Sequence, residues 1–253
     1  MNNFSKVAAV ILAAGKGTRM QSNLPKVLFT VNKKPIAAYI LATLQKLQLE
    51  QIKIVVGYQD DKVRQALGKN RDYINQGELL GTGHAVLQAL PYISKDITTI
   101  MVLNGDDSIF YKPQTVTEII NEHSSSKKKV TILTSIQKYA EVSGRVIRDK
   151  SGKIIDIKAN SIMTKEELEK NHEVVCGLYL FDRNWLEKNL PKVEKSKSGE
   201  YHITTLIYGA LSQKVLQDIK LANKDEWRSI NSQNELKNAR KLWSKLYGNH
   251  RKT

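Results

Sequence analysis

The sequence predicts an α/β protein made of a single three-layer domain, with a mixed, mostly parallel β-sheet. In the first 135 residues, short apolar runs typical of buried strands alternate with amphipathic stretches typical of helices. Such alternation favours parallel strands with helices on both faces, as in Rossmann-like folds. The chain has 253 residues, 41% of them hydrophobic, which is enough for one large core.

Each element of the first half follows from one apolar run or one helical repeat. The strand runs are short and rich in Val and Ile, whereas the helical stretches repeat apolar residues every three or four positions. Strands are predicted at 7–14, 51–57, 73–75, 97–103 and 130–135. Helices are predicted at 35–47, 60–67, 82–90 and 114–122.

The second half is less regular. A hairpin is predicted over 146–155 because a turn signal at 150–152 separates two apolar runs. A strand at 173–181, a helix at 202–211 and a strand at 215–221 follow. The apolar spacing from Leu236 to Leu246 predicts a helix over 234–247, which we expect to pack on its own domain. We therefore expect one domain over 1–231, and a C-terminal helix and tail over 232–253.

Composition limits the function classes. The net charge of +15 would suit nucleic-acid binding, but the lysines are scattered and not interleaved with aromatic residues, so no nucleic-acid partner is expected. The first apolar run is too short for a bilayer and lacks a cleavage site, so we expect no membrane association and a cytoplasmic location. Cys176 is the only cysteine, which excludes an intrachain disulfide. A homo-oligomer is left open.

A glycine-rich turn directly follows the first strand. In Gly15-Lys16-Gly17-Thr18-Arg19, the glycines let backbone N–H groups approach an anion, and Lys16 and Arg19 add positive charge. The turn is not a Walker loop, because Val10 stands where the first glycine belongs, and it is not a dinucleotide fingerprint, because Met20 replaces the third glycine. Taken alone, it is either a phosphate site or a tight connection.

Several motifs in a fixed order carry a resemblance to a known family. Residues 12–20, followed by Leu24-Pro25-Lys26-Val27-Leu28, resemble the signature of sugar-phosphate nucleotidyltransferases. Further motifs are similar to the uridyltransferase domain of the bifunctional N-acetylglucosamine-1-phosphate uridyltransferases: Gln76, Gly81-Thr82-Gly83-His84-Ala85, Gly105-Asp106, Gly144-Arg145-Val146, Gly199-Glu200-Tyr201-His202-Ile203-Thr204 and Ile230-Asn231. The resemblance covers about residues 7–240. The acetyltransferase half of that family has no counterpart in the sequence.

The resemblance implies a nucleotide-diphospho-sugar transferase fold and transfer of UMP from UTP to a sugar 1-phosphate, with Mg²⁺ and release of pyrophosphate. It implies that Arg19 faces the departing pyrophosphate and that Lys26 lies near the α-phosphate; these two are the candidate catalytic residues. The candidate nucleotide-binding residues are Leu12, Ala13, Ala14, Gly15, Lys16, Gly17, Gln76, Gly81, Thr82 and Gly105.

A metal position is also expected. Asp106 follows a buried strand, and a carboxylate at a strand's carboxyl end is well placed to hold Mg²⁺. The family pattern pairs this aspartate with an asparagine, here Asn231. Asp107 is an additional carboxylate that we interpret as a turn residue.

The candidate sugar side departs from the family. It comprises Asn104, Gly144, Ala159, Asn160, Val175 and Thr204. Asn104 replaces a tyrosine, Ala159 replaces a glutamate that binds sugar hydroxyls, and Val175 replaces an asparagine that contacts the sugar. Asn160 could substitute if the register moves by one. We therefore expect an acceptor other than plain N-acetylglucosamine 1-phosphate. The alternatives are transfer of another nucleotide, such as CMP from CTP, to a different phosphorylated acceptor, or a nucleotide-binding homologue with weak or no catalysis.

Overall fold

The computed structural model describes residues 4–107, 109–138 and 144–248. The predicted tail beyond residue 248 lies outside these ranges. The strands are β1 (Val7–Ala13), β2 (Thr30–Val31), β3 (Lys34–Pro35), β4 (Gln51–Val56), β5 (Asp72–Asn75), β6 (Thr99–Asn104), β7 (Val130–Ile136), β8 (Gly144–Arg148), β9 (Ile154–Ala159), β10 (Glu173–Asp182) and β11 (Leu216–Lys220). The α-helices are α1 (Ile36–Lys46), α2 (Asp60–Leu67), α3 (Thr82–Ala89), α4 (Pro113–Ser125), α5 (Lys165–Lys170), α6 (Arg183–Asn189), α7 (Thr204–Ser212) and α8 (Gln233–Tyr247).

The described strands form one large mixed sheet and a small β2–β3 hairpin. The main order is β11-β7-β10-β6-β1-β4-β5, and the β8–β9 hairpin joins through β10. The β1–β4, β1–β6, β4–β5 and β7–β11 pairs are parallel, whereas β10 runs antiparallel to both β6 and β7. The predicted α/β class with a mixed, mostly parallel sheet is confirmed.

The sheet is covered on both faces, as the apolar runs require. Along β1, Val7, Ala9, Ile11 and Ala13 belong to one apolar cluster with residues of α1 and α4, while Ala8 and Val10 belong to another with residues of α3 and α7. Successive side chains of a strand point to opposite faces, so a strand buried on both sides reads as a continuous apolar run.

Three elements lack the patterns that the sequence reading used. The β2–β3 hairpin turns through Asn32 and Lys33, both with positive φ but without the usual glycine. The helix α5 has no buried residue and begins with a capping box between Thr164 and Glu167. The helix α6 has only 7 residues, too few for a helical repeat to be visible, and the Asp182 side chain caps its first turn.

The helix α8 packs on the domain. Leu236 and Ala239 lie in a third apolar cluster with Met20, Val31 and Ile36. Across the described residues, none of the helices combines the length and the apolar character that crossing a membrane requires.

His123 is a buried titratable group of this core. It lies on α4 with 5% of its surface exposed, and its Nδ1 is 2.7 Å from Thr131 Oγ1 on β7. Burial lowers the pKa of His123 from 6.5 to about 4. The nearby Lys129 lowers the pKa further, and Asp182 opposes the shift. The folded protein therefore keeps this imidazole neutral.

We expect His123 to make the protein less stable in mild acid. Between pH 6.5 and about 4 the unfolded chain binds a proton here that the folded protein does not, so the contribution of His123 to the free energy of unfolding should fall by about 3 kcal/mol over this window and stay constant below it. Urea unfolding at a series of pH values measures this fall. His123→Gln should remove this component, whereas the control His202→Gln should keep it. An unchanged pH profile in His123→Gln would contradict the assignment.

Candidate active site

A cavity of about 610 Å³ opens at the edge of the sheet where the parallel strands β1, β5 and β6 end. Ligands of open α/β sheets bind at this edge, and the volume suits a small organic molecule. The amino-terminal half of β10 reaches the same edge, because β10 runs antiparallel to β6. The cavity is therefore lined both by residues that follow parallel strands and by residues of the antiparallel strand β10.

The glycine-rich turn forms the first wall. The cavity is lined here by five of the candidate nucleotide-binding residues: Leu12, Ala14, Gly15, Lys16 and Gly17. Gly17 has a φ of +68°, and a Cβ atom there would lie 2.6 Å from the Cβ of Lys26. The turn therefore needs glycine for its backbone conformation and for contact with the lysine stem. Ala13 is buried behind this wall and does not line the cavity.

Four predicted residues meet in one charged group. The Lys26 Nζ atom lies 2.5 Å from Asp106 Oδ2 and donates to Asn231 Oδ1 at the same distance. The Arg19 Nη2 atom donates to the same Asn231 oxygen at 3.3 Å. Lys26 is only 8% exposed. The fold thus brings the predicted catalytic and metal residues together, although 205 positions separate Lys26 from Asn231.

Gly105 places Asp106 beside the glycine turn. Its N–H donates to the carbonyl oxygen of Leu12 at 2.9 Å, and a Cβ atom would lie 2.9 Å from that oxygen. Glycine is therefore required for the close approach of this segment to β1. Gly105 does not line the cavity, so its position supports a structural role and not direct contact with a nucleotide.

Asn231 is held by Glu235 in the first turn of α8. The Glu235 carboxylate accepts hydrogen bonds from the Asn231 N–H at 2.6 Å and from the Ser229 hydroxyl. Its own N–H donates to the Ser232 hydroxyl, which caps the helix. The sequence signal is the Ser-x-x-Glu spacing of a capping box, which the sequence reading passed over. The predicted boundary after residue 231 falls inside this hydrogen-bonded group.

The predicted base-binding residues form another part of the cavity wall. Gln76, Gly81 and Thr82 all line it. The Thr82 hydroxyl accepts a hydrogen bond from the Ile203 N–H at 3.0 Å, so its contact lies within the protein. A Cβ atom at Gly81, where φ is +95°, would lie 2.7 Å from the Tyr201 carbonyl oxygen. The turn therefore packs directly against the segment before α7.

On the predicted sugar side, Asn104, Gly144, Ala159, Val175 and Thr204 line the cavity. Asn160 does not line it. Its Oδ1 accepts a hydrogen bond from Arg145 Nε at 3.0 Å. The suggestion that Asn160 replaces the family's glutamate therefore has no support from its position.

The β10 wall holds residues that the sequence reading missed. Gly177 and Tyr179 line the cavity beside Val175, because residues two apart on a strand share a face. Cys176 points the other way, into the apolar cluster on the opposite face, and does not line the cavity. Burial raises the pKa of the Cys176 thiol and of the Tyr179 hydroxyl, and both stay neutral at physiological pH.

Asp107 is another cavity residue that the sequence analysis did not assign to the site. It lies in a turn, as expected, but its side chain is buried and lines the cavity. A Cβ at Gly177 would collide with the side chains of Asp107 and Asn104. Trp227 and Ser229, in the loop before α8, also line the cavity. They lie four and two residues before Asn231, so alternate positions of this loop face the cavity.

The oxygen atoms of Asp106 and Asn231 suit a hard cation. Both converge on one positive charge, the Lys26 ammonium, at 2.5 Å. In the described ranges no group of three or more His, Cys, Asp or Glu residues could hold a metal ion. Magnesium needs no such cluster when phosphate oxygens complete its shell, because one or two protein oxygens are then sufficient. The donor set therefore fits Mg²⁺ bound together with a nucleotide.

The chain is similar to known nucleotidyltransferases. The profile of the family described as nucleotidyl transferase matches residues 8–243. The bifunctional protein GlmU of Levilactobacillus brevis is 35% identical over 235 residues, which cover 92% of this chain and 51% of that protein. The bifunctional protein GlmU of Clostridium novyi is 36% identical over 237 residues, covering 93% and 52%. The chain thus spans about half the length of these curated relatives.

A solved structure supports the fold independently. A Bacillus anthracis protein that bears the name of a glucose-1-phosphate thymidylyltransferase superposes with a TM-score of 0.76 at 21% identity. The match covers 93% of this chain and 94% of that one. The likeness confirms the expected nucleotide-diphospho-sugar transferase type of fold.

Proposed function

The chain belongs to the nucleotidyl transferase family, and on that premise we propose that it transfers UMP from UTP to a phosphorylated acceptor such as a sugar 1-phosphate. Pyrophosphate is released. The observation that carries the proposal is the convergence of Arg19, Lys26, Asp106 and Asn231 beside a glycine-rich turn.

The chemistry joins two anions and needs no nucleophilic side chain. An oxygen of the acceptor phosphate attacks the α-phosphorus of UTP, forming one P–O bond while the bond to the β-phosphate bridging oxygen breaks. No proton has to move in this step. The protein must hold the two phosphates together and neutralise their charge, which is the role we assign to Lys16, Arg19 and Lys26.

We assign Asp106 and Asn231 as the residues that would hold Mg²⁺. When bound, the ion would neutralise phosphate charge and fix the orientation of the triphosphate. Glu235 fixes the backbone of Asn231, and Gly105 fixes that of Asp106. The fold therefore fixes the backbone from which both oxygen donors extend.

We propose that Gln76 and Gly81 read the uracil base. Gln76 follows β5, its backbone N–H donates to the Val56 carbonyl oxygen at 2.8 Å, and only 5% of its surface is exposed. An amide held this firmly in a cavity wall suits recognition of one base edge.

The acceptor is proposed to differ from plain N-acetylglucosamine 1-phosphate. Ala159 and Val175 line the cavity where the family carries side chains that bind sugar hydroxyls, and neither can form a side-chain hydrogen bond. A buried hydroxyl without a partner costs about 1–3 kcal/mol. Two such losses would lower recognition roughly a hundred-fold. A sugar 1-phosphate with fewer or rearranged hydroxyls fits this wall better.

Pyrophosphate release tests the proposal. The purified protein is assayed with Mg²⁺, each of UTP, CTP, GTP, ATP and dTTP, and a panel of sugar 1-phosphates. We expect the highest kcat/KM with UTP and a poor rate with N-acetylglucosamine 1-phosphate. A metal-free assay in chelator should show no turnover.

Three outcomes would contradict parts of the proposal. Preference for another nucleotide would remove the uridine assignment, and efficient use of N-acetylglucosamine 1-phosphate would remove the acceptor argument. Tight UTP binding without turnover for any pair would instead identify a nucleotide-binding homologue.

A further inference from the structure

The orientation of the Gln76 side-chain amide is fixed by its neighbours. The Nε2 atom lies 2.9 Å from the Gly81 carbonyl oxygen, which can only accept a hydrogen bond. The nitrogen of the amide must therefore face Gly81. The same Nε2 atom lies 3.3 Å from Nδ1 of His84 on α3.

His84 is the second anchor of this amide. If Nε2 of Gln76 donates one proton to Gly81 and the other to His84, then Nδ1 of the neutral imidazole accepts and the ring proton sits on its Nε2. That Nε2 faces the side-chain amide of Gln88, one helical turn further on, at 3.1 Å. The amide of Gln88 can turn its oxygen toward the ring and accept this proton, which completes the series of hydrogen bonds.

The amide oxygen of Gln76 is left for a ligand. In that arrangement both protons of its nitrogen are used inside the protein. Among the hydrogen bonds of the described residues, Oε1 of this almost fully buried side chain has no partner, and Gln76 lines the cavity. An acceptor in the cavity wall that no protein group engages can pair with a ligand that presents a donor at this point.

We propose that His84 is a positioning residue for base selection: by holding the nitrogen of the Gln76 amide, it makes the residue present only an acceptor to the base. Uracil carries an N–H at the centre of its pairing edge, where cytosine carries a bare ring nitrogen. The fixed oxygen pairs with the first and repels the second. This inference rests on the proposed uridylyl transfer and identifies the side-chain contact that sets its nucleotide preference.

The contacts around the turn support a fixed arrangement. Gly81 and Gly83 both pack against the backbone of Tyr201, and the Gly83 N–H donates to its carbonyl oxygen at 2.7 Å. The Tyr201 N–H in turn donates to the Leu80 carbonyl oxygen at 2.8 Å. The Gly81 oxygen that orients Gln76 therefore belongs to a turn that backbone hydrogen bonds with Tyr201 hold in place.

The test is the ratio of UTP to CTP affinity, measured by calorimetry with Mg²⁺ and without acceptor. His84→Phe keeps a flat ring but removes the acceptor nitrogen, and we expect the preference for UTP to fall about ten-fold, as for one lost hydrogen bond. His84→Asn can return an acceptor oxygen near the Nδ1 position and should restore much of the preference. Leu87→Ala, an exposed position on the same helix, should change nothing. Thermal unfolding checks that each variant is folded.

The outcomes separate this inference from the proposed function. A wild-type protein that prefers UTP, with the same ratio in His84→Phe, would overturn the role of His84 and leave uridylyl transfer standing. A wild-type protein that binds CTP as tightly as UTP would overturn both. A reduced ratio in His84→Phe with rescue in His84→Asn supports the inference, because a purely structural loss would weaken both nucleotides alike.

Discussion

Replacing Asp106 with asparagine is expected to lower kcat roughly a thousand-fold while the protein stays folded. Asp106 supplies a carboxylate at the end of β6, 2.5 Å from the Lys26 ammonium. An asparagine keeps the shape but removes the negative charge, so the proposed Mg²⁺ position loses its only charged donor. The Lys26 ammonium would also lose its counter-charge, because both side-chain oxygens that it could then contact belong to neutral amides. Both effects act on the reacting phosphates.

The measurement is kcat for pyrophosphate release over a titration of Mg²⁺, together with the unfolding midpoint. Asp61→Asn is the matched control, because Asp61 is an exposed carboxylate on α2 that does not line the cavity. The control should keep its wild-type rate and midpoint. A rate for Asp106→Asn within about threefold of wild type, at unchanged Mg²⁺ requirement, would exclude Asp106 from the reaction.

Local signals were sufficient for most of the fold. The alternation of apolar runs and helical repeats predicts the parallel half of the sheet, because strand and helix periods are properties of a few neighbouring residues. The antiparallel course of β10 has no such signal. Its Glu173–Asp182 run is buried on both faces, and only pairing with β6 and β7 reveals its direction. That direction brings Val175 and Gly177 to the cavity.

The candidate site likewise contains residues that the sequence indicates and residues that it does not. The glycine turn and Asp106 are predicted because each follows a strand-like apolar run, whereas Lys26 is predicted from the resemblance to the nucleotidyltransferase signature. Trp227 and Ser229 were missed because they lie in an extended loop with no element of its own. Glu235 was missed for a different reason: its carboxylate acts through the backbone of Asn231, and such a role becomes visible only when both positions are known in space.

A partly buried charge network joins β8, β10 and β11, and Arg148 is its centre. From β8 its guanidinium contacts Glu173 Oε1 on β10 at 2.6 Å and Asp218 Oδ2 on β11 at 2.5 Å. Thr134 also donates to Glu173, at 2.7 Å. Burial raises the pKa of Glu173, but the hydrogen bonds from Arg148 and Thr134 outweigh it and hold that pKa below its usual value. The carboxylate is therefore kept ionised by its partners.

Arg148→Met is expected to lower the free energy of unfolding by about 3–5 kcal/mol, because it leaves Glu173 buried without its main counter-charge. Lys220, 3.3 Å from Glu173 Oε2, remains but is half exposed. Denaturant unfolding at pH 7 measures the loss, and adding Glu173→Gln to the variant should recover part of it by removing the stranded charge. The control is Lys170→Met, since Lys170 pairs with Glu166 on an exposed face of α5, where such a pair contributes about 0.5 kcal/mol or less. Equal losses in Arg148→Met and Lys170→Met would mean that the network is no stronger than a surface ion pair. In that case the β8–β9 hairpin, which carries Gly144 and Ala159, would depend on the pairing of β8 with β10 and on apolar packing for its attachment to the sheet.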